Sequence, residues 1–125
     1  MSLADTEQRR EDLLSYREEV LRELERRAGR VREIDRRIAE TQHAIDALDG
    51  GRVLSGPTAR VLTQEAYRRS LKKKLDGYHN DRKDASVELQ RAEVRLQDVD
   101  VELSQLDAEA ESAQDRAEDG ETTEE

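Results

Sequence analysis

From Leu71 to Ala117, apolar side chains return at alternating steps of four and three residues: Leu71, Leu75, Tyr78, Arg82, Ala85, Leu89, Ala92, Leu96, Val99, Leu103, Leu106, Ala110, Ala113 and Ala117. Of these fourteen positions only Arg82 is not apolar or aromatic. A mean step of about 3.5 residues is the period that keeps one stripe of an α-helix facing a partner helix. A stripe this narrow exposes apolar surface that its own backbone cannot cover, so something else in the chain, or another chain, must lie along it. That requirement governs everything else the chain can do.

The N-terminal half supplies a second helix. Its best register runs Arg10, Leu13, Arg17, Val20, Leu24, Arg27, Val31, Ile34, Ile38, Thr41, Ile45, Leu48, in which eight of twelve positions are apolar. Leu14, Leu21 and Ala28 widen the stripe on one side. Glu18–Arg22, Glu23–Arg27 and Glu33–Arg37 stand four apart with the acid first, the better order for a helix surface pair. Ser2, Asp5 or Thr6 can cap the start. Asp49-Gly50-Gly51 ends the helix, because paired glycines favour a left-handed exit. Pro57 suits the first position of a following helical turn, and Glu65 is a favourable charge in the first turn of a helix entered at Thr63.

The fold expected is therefore all-α, a long antiparallel two-helix coiled-coil hairpin. Helix 1 is expected over residues 6–49, a connector over 50–62 and helix 2 over 63–117, with 118–125 an acidic, disordered tail. At 1.5 Å per residue such helices would span roughly 65 and 80 Å, a rod with its turn at one tip and both termini at the other. The last turns of helix 2 would overhang. Two hairpins could also join as a weak homodimer through the Leu14/Leu21/Ala28 flank.

Composition fits this reading: 42% of residues are charged and only 2% aromatic, with no Phe or Trp, too few large apolar groups for a layered core. The absence of cysteine rules out disulfides and thiolate metal sites, and suits a reducing compartment. No apolar run approaches the ~20 residues of a membrane span, and the N-terminus lacks the apolar core of a signal peptide. The net charge of −9 hides a gradient. Residues 1–51 carry ten Arg against thirteen acids, residues 52–83 nine Lys/Arg against three, and residues 84–125 three Arg against fifteen.

No nucleotide-binding, zinc-protease or calcium-loop motif occurs. His43 and His79 stand apart on either side of the turn and read as surface side chains, not a metal pair. The carboxylates lie at salt-bridge spacing along helix faces, with no pocket to raise a pKa, so an enzyme is not expected, nor a cofactor. Arg10, Arg17, Arg27 and Arg82 fall on the seams. They either pack their stems at the edge with wet guanidinium groups or fix the antiparallel register. Arg68, Arg69, Lys72 and Lys73, followed by Lys74, Arg82 and Lys83, form a basic cluster near the turn. Without aromatic stacking groups, and with an acidic C-terminal half, it suits a negative protein surface better than nucleic acid.

The stretch Leu62-Thr63-Gln64-Glu65-Ala66-Tyr67-Arg68-Arg69-Ser70-Leu71-Lys72-Lys73-Lys74-Leu75-Asp76-Gly77-Tyr78, with the hairpin layout, resembles the FliJ/YscO family of type III export stalk proteins. The resemblance covers roughly residues 10–115 and implies a small cytoplasmic hairpin, peripheral to the inner membrane, of a flagellar or injectisome export apparatus. Such proteins look like the central stalk of rotary ATPases, insert in the export ATPase ring, contact the export gate and escort substrate chaperones. Carried over by spacing, the gate contacts would be Tyr67, Leu71, Lys74 and Tyr78, with Lys74 standing where the family has a small residue. Leu71 and Tyr78 also lie on the seam, so packing between the helices is their competing role. The alternative function is a generic structural or prefoldin-like chaperone hairpin, although Arg52–Thr58 lacks the alternation of a β-hairpin. An RNA-holding arm is a third reading, and would demand steeply salt-dependent binding.

Overall fold

Two long helices carry the chain. The computed structural model describes residues 2–50 and 58–123, forming α1 (Leu3–Gly50) and α2 (Thr58–Thr123), with no strand among the described residues. The architecture is the expected all-α antiparallel helical hairpin.

The boundaries differ from expectation at three points. α1 begins at Leu3 because Ser2 caps it: the Asp5 N–H donates to Ser2 Oγ at 3.1 Å, and the Thr6 N–H donates to the Ser2 carbonyl at 3.0 Å. The Asp5 bond occupies a donor that an uncapped helix start would leave open, and the Thr6 bond is the first of the helix's own ladder. α2 begins at Thr58, five residues before the expected start. It also continues to Thr123, past the last seam residue, where a disordered tail was expected. The diglycine exit and Pro57 fall largely outside the described residues, but α1 does end at Gly50.

Contacts divide the chain into two compact units. One pairs residues 1–25 with 90–125, and the other holds residues 26–89. In each, the helices run in opposite directions with a constant offset. In the first, Arg10 meets Asp107 and Arg17 meets Asp100. In the second, Asp35 meets Arg82 and Asp49 meets Arg68. Within either unit, each advance along α1 is matched by an equal retreat along α2.

Burial follows the seam but not evenly. Writing Leu13 and Leu71 as position d of their heptads, the core is made by d: Leu13, Val20 and Ile34 on α1, and Leu71, Ala85, Ala92, Val99 and Leu106 on α2, all with 9% or less of their surface exposed. Thr41, also at d, is the buried polar member of the set. At position a the side chains are mostly half-buried (Leu24, Val31, Ile38, Leu75, Leu89, Leu96, Leu103), with Ile45 the buried exception. A d side chain points at the partner helix, whereas an a side chain lies toward the edge of the pair. The edge tolerates charge, and Arg10, Arg17, Arg68 and Arg82 all stand at a; Arg27 stands at d, where like Leu48 and Tyr78 it is only half-buried. Ala110 and Ala113, apolar in the sequence pattern, are exposed.

Each seam arginine reaches an acid on the other helix. Arg17 Nε donates to Asp100 Oδ1 at 2.7 Å, Arg10 and Arg27 approach Asp107 and Glu88 at 3.6 Å, and Arg82 Nε donates to Asp35. Their side chains remain between 37% and 56% exposed. The heads are thus partly solvated and each stands beside an acid of the other helix, as either sequence reading requires. Pairs this exposed add little net stability each, but a shifted register would break several together. Glu33 pairs with Arg37 as expected and also with Arg36, while Glu23 reaches across to Arg95 at 3.1 Å.

Candidate protein-interaction surfaces

The basic cluster sits at the start of α2 in the second unit. Arg68 is held in place: its Nε and Nη2 donate to the two oxygens of Asp49 at 2.6 and 3.0 Å. This two-pronged contact holds the Asp49 carboxyl below the usual carboxylate range and raises the Arg68 guanidinium, with Lys72 adding to the effect on Asp49. Arg69, Lys72, Lys73 and Lys74 are exposed, so they, rather than Arg68, present positive charge to a partner.

The four residues carried over from the stalk family do not share one outer face. Tyr67 is 55% exposed and Lys74 is exposed, but Leu71 is 8% exposed within the seam. A side chain that deep cannot reach a partner without opening the hairpin, so packing is its role here. Tyr78 is half-buried beside Arg37 of α1, whose guanidinium is raised chiefly by Glu33 and secondarily by Tyr78. Tyr67 and Lys74 are therefore the two of the four available for contact.

The other unit has the opposite charge. Residues 1–25 and 90–125 hold seven Lys/Arg against twenty-one Asp/Glu, a balance of −14; residues 26–89 hold fifteen against ten, a balance of +5. The acidic unit also carries most of the exposed large apolar side chains: Leu3, Leu14, Tyr16, Leu21, Val94 and Val101, against Tyr67 and Val87 in the basic unit. Leu14 and Leu21, proposed from sequence as a dimer flank, are 46% and 39% exposed, and Ala28, in the basic unit, is half-buried. Sequence reading passes over the valines, although the signal is present: Val87, Val94 and Val101 recur at every seventh residue, off the seam.

The depressions on the acidic unit are shallow, one along the outer side of α2 and one between the helices around Arg9, Tyr16 and Arg95. In the second, Arg95 Nε is buried without a hydrogen-bond partner while its Nη2 holds Glu23. Among the described residues no cluster of His, Asp or Glu could hold a metal ion, and no helix is long and apolar enough to cross a membrane. The geometry offers charged and apolar faces for contact with other macromolecules. Compared with known proteins, the chain matches no family model, no curated protein and no solved structure.

Proposed function

We propose that this protein works by contact rather than catalysis, as a stalk and escort component of a type III protein export apparatus at the cytoplasmic face of the inner membrane. The observation that carries the reading is a two-helix hairpin whose separate compact units bear opposite charge, −14 and +5, so that two different partners can be engaged by one chain. The sequence resemblance around Tyr67–Tyr78 assigns the partners: the basic unit, through Tyr67, Lys74 and the exposed Arg69, Lys72 and Lys73, engages the export gate, and the hairpin enters the export ATPase ring. Substrate chaperones are the further partners. Co-purification with an export ATPase at low salt, with faster ATP hydrolysis on addition of the hairpin, is the expected result. Absence of ATPase binding at low salt rejects the assignment.

A chaperone-like hairpin is the second reading, favoured by the exposed Leu14, Leu21, Val94 and Val101. Suppression of client aggregation with no ATPase partner would select it instead.

A further inference from the structure

The outward face of α2 carries a second seam that the hairpin leaves unused. Within the acidic unit, Gln90, Val94, Gln97, Val101, Ser104 and Ala108 follow one another at alternating steps of four and three. All are exposed and none is charged, in a chain of which 42% is charged. Val94 and Val101 are 48% and 50% exposed, whereas Ala92 and Val99, two residues before each, are 0% and 3% exposed. One helix thus buries one stripe of coiled-coil period and presents another. An open, shallow depression runs along the second stripe, lined by Gln97, Val101, Ser104 and Ala108 among others.

The rim says what fits there. Glu93, Asp100 and Asp107 line one flank of the stripe, the last two also reached by Arg17 and Arg10 of α1, while on the other flank Asp98 is balanced by Arg91. A second copy of the same surface would bring a unit of −14 against another of −14, which repels. The +5 unit of a second copy has the right sign but exposes only Tyr67 and Val87 as large apolar groups among its described residues, with no stripe to lay on the valines. We propose that this face docks an amphipathic helix of another protein, with aliphatic side chains at 3–4 spacing and Lys or Arg along the flank that meets Glu93, Asp100 and Asp107. Uncharged Gln97 and Ser104 beside the valines make the contact mild, as suits a partner that must come and go. The face is separate from Tyr67 and Lys74, so this docking and the export-gate contact can fail independently.

The test uses the full chain and three labelled peptides of equal length. The first is a helical heptad peptide with Leu and Ala on its seam and Lys on one flank. The second scrambles that sequence, and the third replaces its Lys by Glu. The basic heptad peptide should bind at least about tenfold more tightly than either control, by fluorescence anisotropy at physiological salt. The double variant Val94→Thr/Val101→Thr keeps the branched shape and helix preference while replacing methyl by hydroxyl, and should weaken binding about fivefold to tenfold. His79→Gln in the basic unit should leave it unchanged. Equal binding of the scrambled peptide would reduce the effect to bulk charge and overturn the proposal. Equal binding of the Glu peptide, or no binding of the basic one, would do the same. Dimers of the free protein in sedimentation velocity that vanish in the double variant would make a second copy the occupant, and the proposal would again fall.

Discussion

Truncating Leu13, Leu24 and Leu14 to alanine, one at a time, should cost stability in that order. All three belong to the same helix and the same compact unit, so chemistry is constant and only depth varies. Leu13 is 5% exposed, Leu24 half-buried and Leu14 46% exposed. Burying a whole leucine side chain is worth about 1.5–3 kcal/mol, and truncation in a closed core adds a cavity cost, giving about 2–5 kcal/mol. A two-helix seam is open along both edges, so the space left by Leu13 can partly collapse or admit water, and Leu13→Ala should cost about 2.5 kcal/mol. Leu24→Ala should cost about 1–1.5 kcal/mol, in proportion to its burial. Leu14→Ala should cost about 0.5 kcal/mol or less, since alanine's better helix propensity returns a few tenths. Urea unfolding followed by far-UV circular dichroism resolves these steps, provided the m-value stays constant. Repeating the series at tenfold higher protein concentration separates intramolecular packing from association. A loss for Leu14→Ala equal to that for Leu13→Ala would refute the assignment of the core to position d, and a concentration-dependent loss would place Leu14 in a dimer interface.

Reversing Arg17 and Asp100 singly (Arg17→Asp, Asp100→Arg) should destabilise the hairpin by about 0.5–1 kcal/mol each, small because both side chains are more than a third exposed; the double reversal should recover most of it, and an additive double mutant would deny the pair any part in register. Gly77→Ala should stabilise by about 0.5–1 kcal/mol in thermal or urea unfolding, because a Cβ there meets nothing within 4 Å and an exposed helix interior favours alanine. Asp49 is the group to follow with pH. Its folded pKa lies below the unfolded value of about 3.9, so its contribution is complete above that value and is lost as pH falls through the lower folded pKa. Asp49→Asn should therefore narrow the stability difference between neutral and strongly acidic solution, and an unchanged acid limb would show that Arg68 does not matter to folding.

The contact surfaces were only partly legible in the sequence. The basic cluster could be read as a run of charges, but that Arg68 is committed to Asp49 while Arg69, Lys72 and Lys73 stay exposed depends on which α1 residue the register brings opposite. Leu71 satisfied both a seam and a contact pattern, because a spacing of three and four describes any helix face. Its 8% exposure resolves the ambiguity. The valine stripe was present as a seven-residue recurrence, yet its meaning needed the first seam to be occupied.

By itself the sequence determined that the chain is helical, that the first helix ends next to Asp49, and that two heptad stripes cover each other. Those follow from local propensity and period, which are properties of neighbouring residues. Only the tertiary structure decided that position d is the deep half of the seam, that each edge arginine meets an acid across it, and that Val94 and Val101 stay outside. Depth and pairing depend on the distance and rotation between helices, and those are set by the fit of all the side chains at once.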